Sequence, residues 1–109
     1  MNIESIRQYC GTDQVIYSQH FLDRCRERSI PLADAEAAIL TGEIIEDYPT
    51  DYPFPSCLIL GAGSGNDILH IVCAEGNGSL YMISAYRPSP EKWEPDWKTR
   101  RKEPANEML

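Results

Sequence analysis

The chain has 109 residues, 42% of them hydrophobic and 25% charged, with a net charge of −7. That is one domain's worth of chain with an ordinary globular composition, and no apolar run approaches the ~20 residues of a membrane helix. The start, Met1-Asn2-Ile3-Glu4, lacks the basic and apolar stretches of a signal peptide, so the expected setting is cytoplasmic.

Ile3, Ile6 and Cys10 recur at helical spacing, and predict a short opening helix that Gly11-Thr12-Asp13 stops. Val15-Ile16-Tyr17 has the character of a brief strand. Ser18 is a good N-cap for a second helix to about Arg28. At about 100° per residue, Phe21, Leu22 and Cys25 share the apolar face of that helix. His20, Arg24 and Arg28 fall within about 80° of one another, as a polar stripe beside it. Pro31 suits the first turn of a third helix, with Leu32, Ala35 and Ile39 on its inner face and Gly42 expected as a left-handed terminator. Four alanines, Ala33, Ala35, Ala37 and Ala38, allow close packing of that helix.

Four strands are expected next: Glu43–Tyr48, Ser56–Gly61, Asp67–Ala74 and Leu80–Tyr86, separated by proline- and glycine-rich loops. The fold class is therefore α+β, with N-terminal helices packed on a twisted antiparallel sheet of four or more strands. Across Gly76-Asn77-Gly78 the expected register pairs Ala74 with Leu80 and His70 with Ser84. It places Leu69, Ile71, Cys73, Tyr81, Ile83 and Ala85 on the core face. After Tyr86 the chain is polar, and Trp93 and Trp97 are expected to anchor it to the body. Residues 1–103 are read as a single α+β domain and residues 104–109 as a frayed tail.

Cys10, Cys25, Cys57 and Cys73 each sit in an apolar pattern and are expected to be reduced core thiols. Zinc, with His20 and His70 as added ligands, finds no C-x-x-C or H-x-x-x-H spacing to support it, and no cofactor is expected. Charge is distributed unevenly. Between Ser29 and Tyr86 there are eight acidic residues and no Lys or Arg, while cations gather at Arg24/Arg26/Arg28 and from Arg87 to Lys102. An acidic body repels nucleic acid at long range, so any anion site must be local.

The residues best suited to chemistry are His20, Arg24 and Arg28 on the second helix, with His70 and Tyr86 on the sheet. Paired arginines present forked donors to a phosphate, and a histidine transfers protons near neutrality. Together with the expected hairpin register, the helical stripe predicts a cleft walled by His20, Arg24 and Arg28 and floored by His70, Ser84 and Tyr86. The plainer alternative pairs the arginines with Glu27, Glu46 or Asp47 as surface ion pairs, and makes His70 a half-buried hydrogen-bonded histidine. Asp47/Asp51 and Tyr48/Tyr52 lie in a proline-rich setting that favours a turn.

Several segments resemble a bacterial domain-of-unknown-function family, DUF4258: His20-Phe21-Leu22-Asp23-Arg24-Cys25-Arg26-Glu27-Arg28-Ser29-Ile30, Gly42 to Tyr48, Leu69-His70-Ile71-Val72, and Ala85-Tyr86-Arg87-Pro88 with Trp93. The likeness runs from His20 to about Arg101, with Phe21 where a small residue is common and Ser29 where glycine is common. The family is similar in layout to RelE/ParE and BrnT toxins. The resemblance implies a metal-independent endoribonuclease held inactive by an antitoxin protein. In that reading Arg24 and Arg28 bind phosphate, RNA is the substrate, and His20, His70 and Tyr86 transfer protons. A non-catalytic interaction domain that keeps the same fold, and binds a protein through an exposed strand or the tryptophan tail, is the alternative.

Overall fold

A computed structural model describes residues 1–102; the expected frayed tail, 104–109, lies outside them. Three helices come early in the chain: α1 (Ile3–Gly11), α2 (Gln19–Glu27) and α3 (Leu32–Thr41). The strands are β1 (Val15–Tyr17), β2 (Glu43–Tyr48), β3 (Ser56–Ala62), β4 (Ile68–Gly76) and β5 (Ser79–Tyr86). They form one five-stranded sheet in the order β1-β5-β4-β3-β2. The expected α+β class holds, with the helices N-terminal. The expected all-antiparallel sheet needs one correction: β1 pairs parallel with β5, Ile16 opposite Tyr81. Three residues carry too little local pattern to announce a partner that arrives more than sixty positions later.

Helix ends follow their residue chemistry. Ser18 caps α2, its hydroxyl accepting from the Phe21 N–H at 3.1 Å. At the other end Ile30 N–H reaches the Cys25 carbonyl and Ser29 N–H the Arg26 carbonyl, a paired closure that places Ser29 in the left-handed region at φ 56°. Glycine adopts that conformation at least cost, so a serine there carries a conformational penalty. Gly42 behaves differently from its expected role: its φ is −100°, ordinary extended backbone. Space is what it supplies. A Cβ there would lie 2.3 Å from the Leu60 carbonyl oxygen, and one at Gly61 would lie 1.9 Å from that of Ala38. The two glycines and the alanines of α3 let helix and sheet approach closely.

The β4–β5 hairpin corrects the expected register. Asn77 and Gly78, both at positive φ (52° and 74°), make a two-residue turn between Gly76 and Ser79. The chain therefore turns one residue more tightly than a three-residue Gly-Asn-Gly loop would. Leu80 pairs with Glu75 and Met82 with Cys73; a bulge follows, and Val72 then faces Ser84 and His70 faces Tyr86. As a result Leu80 and Met82 point into the helix-side core, Ile83 is exposed, and Tyr81 stacks on Phe54 on the opposite face. Ala85, beyond the bulge, points inward as expected.

The helix-side core joins all layers: Ile6, Phe21, Ile39, Ile59, Ile71 and Leu80 are fully buried. The other face of the sheet is covered by the segment after Tyr86. Trp93, 3% exposed, packs there, and residues 92–101 fold back on themselves through Glu94 N–H to the Thr99 carbonyl and Arg101 N–H to the Lys92 carbonyl. Asp96 caps that turn from its side chain, and ion pairs Arg100–Glu46 and Lys98–Glu43 tie it to β2. The expected tryptophan anchor is Trp93, carried in a tight turn.

Candidate functional site

His70 projects from β4 to the face opposite the helices and is fully buried. Its ring meets Trp93 edge-on, with centroids 4.5 Å apart at 89°. Nε2 lies 2.7 Å from the Trp97 carbonyl oxygen. A carbonyl can only accept, so Nε2 carries the proton and Nδ1 accepts from the Tyr86 hydroxyl at 3.2 Å. The result is a chain of hydrogen bonds from Tyr86 through His70 to the backbone of Trp97. Trp97 itself is held at φ 62°, rare for so bulky a residue, and residues in such conformations concentrate at functional sites.

Burial pushes the His70 pKa down, only partly opposed by the Trp97 carbonyl and Glu46, so the ring is neutral at physiological pH. Burial pushes the Tyr86 phenol up, with Arg100 pulling the other way. Both partners therefore begin uncharged. Arg100 lies over the Trp93 ring, 4.6 Å from its centroid, and pairs with Glu46 at 2.7 Å, which holds that carboxyl below its usual range.

Tyr86 opens onto a pocket of about 340 Å³ walled by Arg87, Ser89, Lys92, Trp93 and Arg100. Three cations thus converge beside one phenol on an otherwise acidic chain. Arg87 is fully committed: its guanidinium donates to Asp67 and to the carbonyls of Arg28 and Ser29, stitching the end of α2 to the sheet. Lys92 has no ion-pair partner among the described residues.

The five residues singled out in the sequence fall into separate places. His70 and Tyr86 are brought together. His20 is exposed and lines a different, mainly apolar groove of about 350 Å³, with Ile16, Phe54, Tyr81 and Ile83. Arg24 pairs with Glu27 at 2.8 Å, and Arg26 with Asp23 at 2.8 Å, as surface ion pairs. Arg28 donates to the Ala85 carbonyl at 2.9 Å, and its own carbonyl accepts from Arg87. The expected floor is altered too: the tighter turn and the bulge together put Tyr86, where Ser84 was expected, opposite His70.

Sequence reasoning missed Lys92, Arg100 and the Trp97 carbonyl. The signal was present as a cluster of cations interleaved with two tryptophans, but nothing local says that this segment folds onto His70. Among the described residues no group of three or more His, Cys, Asp or Glu is placed to hold a metal ion, and no helix is long and apolar enough to cross a membrane.

Fold and site together define a small α+β domain whose uncovered sheet face is closed by its own C-terminal segment over a histidine–tyrosine pair. The chain belongs to the family described as Domain of unknown function (DUF4258), which matches residues 17–87, well over half of the 109. His20, Arg24, Arg28, His70 and Tyr86 lie inside the matched span; Lys92, Trp93 and Arg100 lie beyond it. Neither curated proteins nor solved structures yield a match.

Proposed function

We propose that this domain is a RelE/BrnT-like endoribonuclease of a cytoplasmic toxin–antitoxin pair, working at the Tyr86 pocket. The observation that supports it is the Tyr86–His70–Trp97 hydrogen-bond chain opening beside Arg87, Lys92 and Arg100. Cleavage of an RNA backbone needs a group to take the 2′-hydroxyl proton and cations to stabilise the charged phosphorane. In this reading the Tyr86 oxygen takes that proton as its own passes to His70 Nδ1, and the imidazolium is held by the Trp97 carbonyl. The 2′-oxygen bonds to phosphorus, and the 5′-oxygen leaves with a proton from solvent, giving a 2′,3′-cyclic phosphate. Lys92 and Arg100 hold the phosphate. Arg28, whose backbone is bonded to Arg87, and Arg24 one turn earlier serve the approach of the strand, while His20 takes no part at Tyr86.

Purified protein incubated with single-stranded RNA in chelator should yield fragments ending in 2′,3′-cyclic phosphate. Tyr86→Phe should slow this by roughly 10²–10⁴-fold without loss of fold, the usual range for one proton-transfer group. Lys92→Ala should weaken RNA binding about tenfold and Arg26→Ala should leave it unchanged. Wild-type protein that neither cleaves nor binds RNA at low salt would end the ribonuclease reading. A small DNA-binding protein encoded by the adjacent reading frame is expected as the antitoxin.

One observation favours the second reading, a non-catalytic interaction domain. β1 is a sheet edge, its central Ile16 is 43% exposed, and the apolar groove with Phe54, Tyr81 and Ile83 lies directly beside it. An extended partner segment could pair with such an edge and place an apolar side chain in the groove. The tail is poorly suited to that task, because Trp93 is already buried on the domain's own sheet.

A further inference from the structure

Two of the four thiols face each other. Cys57 on β3 and Cys73 on β4 are direct cross-strand partners, and their Sγ atoms lie 3.8 Å apart. Both are fully buried on the helix side of the sheet, in the same cluster as Ile59 and Ile71. Cys10 and Cys25 have no such sulfur neighbour among the described residues.

We propose that Cys57 and Cys73 are an oxidisable dithiol, which a peroxide converts into a cross-strand disulfide inside the folded domain. Opposed residues of antiparallel strands have Cα atoms about 4.5–5.5 Å apart, within the ~4.4–6.8 Å span that a disulfide bridges. The sulfurs must approach from 3.8 Å to roughly 2.05 Å. Slack for that movement lies beside Cys73, where a bulge interrupts the β4–β5 ladder between Val72 and Cys73. β2 and β5 flank the pair on either side, so β3 and β4 cannot drift apart and the thiols stay at high effective concentration.

The surroundings select the oxidant. A fully buried pair excludes a bulky, charged disulfide and admits a small neutral molecule through brief local opening. Of the two sulfurs, Cys57 is the readier to ionise, its pKa lowered by the hydrogen bond shared with Cys73, whereas that same hydrogen bond and then burial push the Cys73 thiol up. The Cys57 thiolate attacks one oxygen of hydrogen peroxide, breaking the O–O bond and giving a sulfenic acid and water once protons are taken up. The Cys73 sulfur then displaces the hydroxyl of that sulfenic acid as a second water. Two thiols lose two electrons and two protons in all, and one peroxide becomes two waters.

The test uses the full chain, reduced, freed of reductant, and exposed to hydrogen peroxide under native conditions before quenching and alkylation in denaturant. The expected product has lost two hydrogens in mass and retains two alkylatable thiols, with a peptide map joining Cys57 to Cys73 and full reversal by dithiothreitol. Cys57→Ala and Cys73→Ala should each abolish the mass loss, whereas Cys10→Ser and Cys25→Ala should keep it. The wild-type peptide map decides the matter even if a core variant fails to fold. Four free thiols after native treatment, a linkage involving Cys10 or Cys25, or oxygen addition in place of hydrogen loss would each overturn the assignment.

Discussion

The two faces of the sheet are closed by different physics. On the helix side, Phe21, Ile39, Ile59, Ile71 and Leu80 interlock with three helices, and no charged side chain is buried there among the described residues. On the other side one indole, a buried imidazole and a few ion pairs hold down a single looped segment. The first face depends on apolar area and shape, so its strength varies little with pH. The second depends on His70 staying neutral and on Trp93 staying in place. A site that must meet solvent is better placed under the second kind of cover, because such a cover opens at lower cost than a core.

Substitution at the two faces should separate them. Phe21→Ala, in the helix-side core, should cost about 3–5 kcal/mol in chemical denaturation, with global loss of structure. Trp93→Ala should cost less, at or below the lower end of that range, because the body can keep its core while the 92–101 loop loosens. The sharper readout is His70 itself: freed of its cover, its pKa should rise toward the ordinary 6.5 in an NMR titration. Should Trp93→Ala match Phe21→Ala in stability and leave His70 unchanged, the two faces form one cooperative unit and the contrast fails.

Acidification probes the same difference without mutation. His70 has a lowered pKa when folded, so below about 6.5 the unfolded chain binds a proton that the folded chain resists. Its contribution to stability is therefore complete above that value and is lost as pH falls through the window between the unfolded and folded pKa. Stability measured from pH 7.5 to 5 should fall in wild type. In His70→Gln, which starts less stable, this part of the slope should be missing. An unchanged slope would show that His70 binds its proton equally well in the folded and unfolded chains.

The smallest effect belongs to the helix side. Ser29→Gly should stabilise the protein by roughly 0.5–1 kcal/mol, since φ 56° at the end of α2 favours glycine and the serine hydroxyl makes no hydrogen bond among the described residues. A gain confined to stability, with RNA binding unchanged, is expected. A loss would mean that the serine side chain has a role that its surroundings do not reveal.

Much of the architecture was legible in the residues because its causes are local. Hydrophobic periodicity, the Ser18 cap and the glycine-rich breaks delimit the helices and strands within a few residues, and the small residues of α3 announce a close approach. Where a local signal was weighed wrongly, the consequence propagated. Reading the Asn77-Gly78 turn as three residues displaced the whole hairpin register, so Tyr81 and Ile83 were assigned to a face that Leu80 and Met82 occupy.

The amino-acid sequence by itself determined the α+β class, the order of helices before sheet, the inner face of β4, and the residue types from which a proton-transfer site can be built. Tertiary structure alone decided that β1 joins β5 in parallel, that His20 and His70 lie in different places, and that the C-terminal cations close over Tyr86. The reason is distance along the chain. A helix or a tight turn is settled among residues three or four apart, whereas Arg100 meets Glu46 across 54 positions and the Trp97 carbonyl meets His70 across 27. No periodicity encodes such meetings; they follow only once the apolar faces have packed and left one side of the sheet to be covered.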